Sequence, residues 1–118
     1  MDMPKESELV ALFEAQPKRS DELAEFYYDT STFTAENERQ SIMVVVSPFY
    51  NEFTLIVTEK EDQEAVSTIK LRSVEKMEIV EDMPASLRIV HAISESYYNT
   101  IEITLKPKFK MALHEHYQ

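Results

Sequence analysis

The pattern of apolar and polar positions divides the chain in two. Up to Asp29 the apolar residues recur at helical spacing, and from Ser41 onward they alternate. The densest apolar stretch is Ser41–Lys60, where Ser-Ile-Met-Val-Val-Val-Ser and Phe-Thr-Leu-Ile-Val-Thr-Glu-Lys flank Pro-Phe-Tyr-Asn-Glu. Two β-branched runs around a turn-like segment predict a hairpin. In its first strand Ile42, Val44 and Val46 form one face, and Met43 and Val45 make the other face apolar too, so that strand is expected to be buried on both sides.

Residues 6–16 predict a helix. Leu9, Leu12 and Phe13 make one stripe, Glu6 and Glu8 suit the positive end of the dipole, and Pro17 ends the run. Ser20 is placed as the N-cap of a second, short helix carrying Leu23, Phe26 and Tyr27 on one stripe and fading by Asp29. Thr30–Gln40 is polar apart from Phe33 and reads as a connecting loop, with room for a short edge strand at Ser31–Thr34.

After the hairpin, Glu64–Asp82 keeps an odd parity through Ile69, Leu71, Met77 and Ile79. It is one long bent strand or two strands broken near Ser73–Glu75. Met83-Pro84-Ala85 predicts a turn, Leu87–Ile93 another strand, and Ile101, Ile103 and Leu105 a half-buried one stopped by Pro107. Phe109, Met111 and Leu113 allow a last strand or a helical turn. The expected fold is α+β in a single domain, 1–118. Two short helices (1–29) pack on one face of a five- or six-stranded antiparallel meander (41–113). That face gathers Val44, Leu55, Ile69, Leu71, Ile89, Ile103 and Leu105. Met43, Val45, Ile56, Val74, Val80 and Val90 fall on the opposite face, as dispersed residues or as a joined patch.

Composition removes several classes of chemistry. The chain has no glycine, where about eight are expected at ~7% usage. That excludes dinucleotide, P-loop and nucleophile-elbow motifs. It also leaves positive-φ turn positions to Asn or Asp, with Asn51 and Asn99 the candidates. There is no cysteine, hence no disulfide and no thiolate site, which fits a reducing cytoplasm. The polar start Met1–Glu6 is not a signal peptide, and no apolar run approaches the ~20 residues of a membrane span.

The net charge of −10 is unevenly placed. Residues 1–64 hold 15 acidic and 5 basic side chains, whereas residues 65–118 hold 7 of each. A basic nucleic-acid footprint is missing, an anionic membrane would repel the chain, and a basic protein would be steered to it. Among candidate sites, His114 and His116 share one side of an extended strand but lack a third ligand, so no metal is assigned. His91 lies at an inward parity, as do Glu75 and Glu81, which would raise a carboxyl pKa if buried. Lys106, Lys108 and Lys110 suit a protected edge strand. Tyr27-Tyr28, Phe49-Tyr50 and Tyr97-Tyr98 are aromatic pairs at a helix end and at turns, where a tyrosine ring offers area and its hydroxyl stays wet.

Size, acidity and helix-then-sheet order resemble small secretion chaperones and immunity and inhibitor proteins. The leading reading is a non-enzymatic, cytoplasmic, cofactor-free binding domain whose acidic half engages a basic partner through Glu22, Glu25, Tyr27, Tyr28, Asp29, Glu36 and Glu38. Two alternatives stand beside it: a homodimeric structural or regulatory domain joined through the second sheet face or an edge strand, and a ligand pocket between helices and sheet lined by His91, Tyr50 and Tyr97.

Overall fold

The computed structural model describes residues 1–82 and 84–117, the side chains of Glu81 and Asp82 excepted. The reversal expected at Met83 and the Glu81 carboxyl expected toward the core lie outside the described residues. The helix α1 spans Glu6–Phe13 and buries Leu9, Leu12 and Phe13, the expected stripe. It stops short of Pro17, because Glu14 turns left-handed at φ 57° and closes the last turn on Val10.

Nine strands follow: β1 (Lys18–Arg19), β2 (Ser31–Glu36), β3 (Gln40–Ser47), β4 (Glu52–Glu59), β5 (Ala65–Leu71), β6 (Val74–Asp82), β7 (Ala85–Ser94), β8 (Tyr97–Lys106) and β9 (Lys110–Tyr117). They form two antiparallel meanders, β1 to β5 and β6 to β9. The single sheet roofed by helices is therefore corrected: two sheets turn their apolar faces into one core, which α1 joins. Val44 and Leu55 come from one sheet, Ile89, Ile103 and Leu105 from the other, and all are fully buried. Ile69 and Leu71 are half-buried at the edge of that core.

The change of sheet happens at Ser73. Its φ of 64° swings the chain out of register, so β6 is not a neighbour of β5. The Val74 amide then donates to the Asn51 carbonyl at 3.0 Å. A bulge between Val74 and Lys76 resets the parity, which is why Val74, expected on the outer face, is buried beside Met77. Asp2 pairs in parallel with Lys76 and covers the free side of β6 there.

The second helix is also corrected. Only a 3-10 turn forms at Phe26–Tyr28, and Leu23, expected on an apolar stripe, is 98% exposed. In the segment after it, the short edge strand allowed at Ser31–Thr34 is the longer strand β2, which lies between β1 and β3 rather than at an edge. Phe33 and Ala35 are buried on it, with Phe33 stacked on Phe13 at 5.0 Å between ring centres. The strand is faint in the sequence because its buried positions are Ser31, Phe33 and Ala35, of which only Phe33 is large and apolar.

The central hairpin stands as expected, β3 against β4 with Val44 opposite Leu55. Pro48–Tyr50 forms a 3-10 turn and Asn51 takes the left-handed conformation at φ 58°. Asn99 does not; it lies within β8, opposite His91. Nor is β3 dry on both sides, for Met43 is exposed and Val45 half-exposed. Met43, Val45 and Ile56 sit on one sheet and Val80 and Val90 on the other, so the proposed second-face patch is divided. Glu75 is exposed rather than turned inward.

Candidate partner-binding surface

Arg19 builds this surface from inside. Its Nε donates to Asp29 Oδ2 at 2.6 Å, Nη1 to Glu6 Oε2 at 2.9 Å, and Nη2 to the Ala24 carbonyl at 2.7 Å. The Asp21 amide adds a bond to the same Asp29 carboxylate. One guanidinium thus ties α1, the Ser20–Tyr28 loop and the start of β2 together. Hydrogen bonding to Arg19 holds the Asp29 carboxyl below the usual aspartate range, and Asp29 raises Arg19 in turn. Asp29 is buried by this arrangement. Phe26 turns inward edge-on to Phe33 at 6.3 Å, which leaves Tyr27 and Tyr28 facing out.

The outward rings meet those of the hairpin turn. Tyr27 lies 5.4 Å from Tyr28, Tyr28 5.2 Å from Phe49, and Phe49 5.3 Å from Tyr50. All four are between 39% and 67% exposed. Edge-to-face contacts of this kind are a favoured geometry for aromatic pairs. The result is a continuous aromatic strip in water, drawn from two turns 20 residues apart in the chain. Glu22 and Glu25, just before the first turn, and Glu52, just after the second, are exposed.

The expected contact residues therefore divide, and Asp29, buried against Arg19, is not an exposed one. Glu22, Glu25, Tyr27 and Tyr28 belong to this surface. Glu36 closes the far end of β2, whose six residues span roughly 17 Å, and Glu38 lies just past it. There they border a cleft of about 1010 Å³ between α1 and the β2–β3 and β8–β9 turns. Its walls oppose Glu14, Glu36 and Glu38 to Lys106, Lys108 and Lys110, with Leu12 and Pro107 also lining it. Lys106 Nζ donates to Glu14 at 2.5 Å across it.

His91, Tyr50 and Tyr97 do not line that cleft. Tyr50 ends the aromatic strip, whereas His91 and Tyr97 are half-buried on β7 and β8. The Tyr97 ring stacks on Tyr117 at 4.9 Å, and the Glu115 carboxylate pushes its hydroxyl pKa up. His116 stacks on Tyr98 and bonds Thr100 at 2.9 Å. Among the described residues no group of three His, Asp or Glu is placed to hold a metal. Phe49 and Arg19 are the residues that sequence reasoning left out of the site. Phe49 was visible only as half of an aromatic pair, and Arg19 carried no signal at all.

Fold and surface together define a two-sheet, one-helix domain that presents an aromatic strip within its acidic half. Among solved structures it is similar to a chain of the contact-dependent growth inhibition toxin–immunity protein complex from Klebsiella pneumoniae 342, with a TM-score of 0.74 and 22% identity over 97% of this chain and 96% of that one. At that identity the likeness establishes the fold. No protein-family model and no curated protein matches the sequence. No helix among the described residues is long and apolar enough to cross a membrane.

Proposed function

We propose that this protein is an immunity-type inhibitor that binds and neutralises a basic toxic protein, without catalysis of its own and in the cytoplasm. The observation that carries the reading is the exposed strip Tyr27, Tyr28, Phe49 and Tyr50 set in the half of the chain that holds the whole negative excess. Rigid aromatics supply the contact area that dominates binding energy, and lysine or arginine of a partner can sit over their faces. The surrounding carboxylates steer a cationic surface toward them. An enzyme that acts on nucleic acid presents such a surface, and an acidic inhibitor covers it. The likeness to a chain of a toxin–immunity complex supports this role, and of the two members the acidic charge suits the immunity side.

Growth rescue tests the proposal. Cells producing the toxin of the Klebsiella complex, or a toxic polypeptide encoded beside this chain's own gene, are made to co-produce this protein. Restored growth, with a complex whose association slows as salt rises, is the expected result. A protein that rescues none of these cells and binds none of these polypeptides is not an immunity protein.

A further inference from the structure

We infer that β9 is the seam of a homodimer, in which two copies join edge to edge and the two four-stranded sheets become one of eight strands. Among the described residues β9 pairs only with β8, so one side of an eight-residue strand offers unpaired amide and carbonyl groups. Its side chains also continue the core face. Met111 lies opposite Ile103 and Leu113 opposite Ile101, and Tyr117 stacks on Tyr97. Ile103 is fully buried and Ile101 nearly so, yet Met111, Leu113 and Tyr117 are 41%, 55% and 76% exposed. The first sheet covers the face as far as β8 and leaves its last row open.

Charge selects a second copy as the occupant. Residues 65–118 are neutral overall, whereas residues 1–64 carry the entire excess of −10. A two-fold axis on β9 therefore joins strands from the half of the chain that carries no net charge. A strongly basic partner is drawn to the other half instead. Within β9 a two-fold through Leu113 pairs Leu113 with itself, Met111 with Glu115 and Phe109 with Tyr117, since opposed residues on antiparallel strands share a face. No carboxylate then meets a carboxylate and no lysine a lysine. The rival edge, β5, follows Glu59 at the end of β4 and a turn holding Glu61, Asp62 and Glu64, where a second copy would meet its own charge.

Sedimentation of the full chain from about 5 to about 300 μM tests the seam, because association follows mass action. The mass should rise from 13.8 kDa toward twice that. Leu113→Lys should weaken association at least about tenfold by placing two charges face to face. Its circular dichroism should stay unchanged, since Leu113 is exposed, and Tyr50→Ala should associate like the parent chain. In the parent, exchange of the β9 amides should slow at high concentration. A chain that stays at 13.8 kDa throughout, or a dimer that Leu113→Lys leaves intact, overturns the inference. Growth rescue is read separately, as toxin neutralisation by the whole protein.

Discussion

Arg19 and Asp29 form the bond on which the exposed loop depends: Nε and Oδ2 are 2.6 Å apart, and both side chains are largely out of water. Breaking it leaves an unpaired group behind, which costs more than the pair itself contributes. Asp29→Asn should lower the melting temperature and loosen the Ser20–Tyr28 loop, seen as faster amide exchange there. An unaltered melting temperature and exchange pattern would remove Asp29 from this role.

The same pair sets a pH dependence. Folding depresses the Asp29 pKa, chiefly through the Arg19 hydrogen bond. Its contribution is therefore complete above the ordinary aspartate range and is lost as the pH falls through the lower folded-state value. Urea midpoints of the parent chain and Asp29→Asn should differ at neutral pH and converge in acid. A gap that widens on acidification would contradict the assigned sign.

Phe33 and Leu23 test the two corrected segments against each other. Phe33→Ala removes a fully buried ring from between α1 and β2 and should cost about 3–5 kcal/mol in denaturant unfolding. Leu23→Ser should stay within about 0.5 kcal/mol, because that side chain already stands in water. A large loss at Leu23 would restore the helical stripe that periodicity suggests.

Binding should separate area from charge. Tyr28→Ala and Phe49→Ala are each expected to weaken the partner complex by about 1–3 kcal/mol, mostly through faster dissociation. Glu22→Gln and Glu25→Gln should instead slow association and flatten its salt dependence. Surface plasmon resonance at two salt concentrations reads both. Equal, small effects at all four positions would move the contact elsewhere.

A chain without glycine must place other residues at positive φ, and Glu14, Asn51, Gln63 and Ser73 do so. The left-handed cost is about 1–2 kcal/mol for an ordinary residue, partly offset by glycine's larger unfolded entropy. Ser73→Gly should therefore raise stability, by up to about 1 kcal/mol. Asn51→Ala should lower it, because Asn tolerates this conformation better than Ala does. Thermal unfolding of the two variants decides; movement in the opposite directions would mean that these backbone angles do not govern stability.

The hairpin β3–β4 and the stripe Leu9, Leu12 and Phe13 were legible because each rests on neighbours close in the chain. Their apolar spacing leaves one conformation that buries them. The false helix at Leu23–Tyr27 shows where that logic ends. Its spacing is helical, but Arg19 offers the segment an alternative, bonds from one guanidinium to the Ala24 carbonyl and the Asp29 carboxylate. β2 was hidden for the complementary reason. Its threonines suit a strand, but two of its three buried positions are the small Ser31 and Ala35, and β1 and β3 on either side complete it.

What the sequence determined by itself was local. It set the periods, the turn at Asn51, the asymmetry of charge and the exclusion of glycine- and cysteine-based chemistry. Tertiary structure alone decided that the chain leaves one sheet for another at Ser73, that two turns 20 residues apart share an aromatic strip, and that β9 is left half covered. Period and composition belong to single segments, whereas these three outcomes depend on which segments share a core. That choice is made by the summed burial of residues far apart in the chain, which no single stretch encodes.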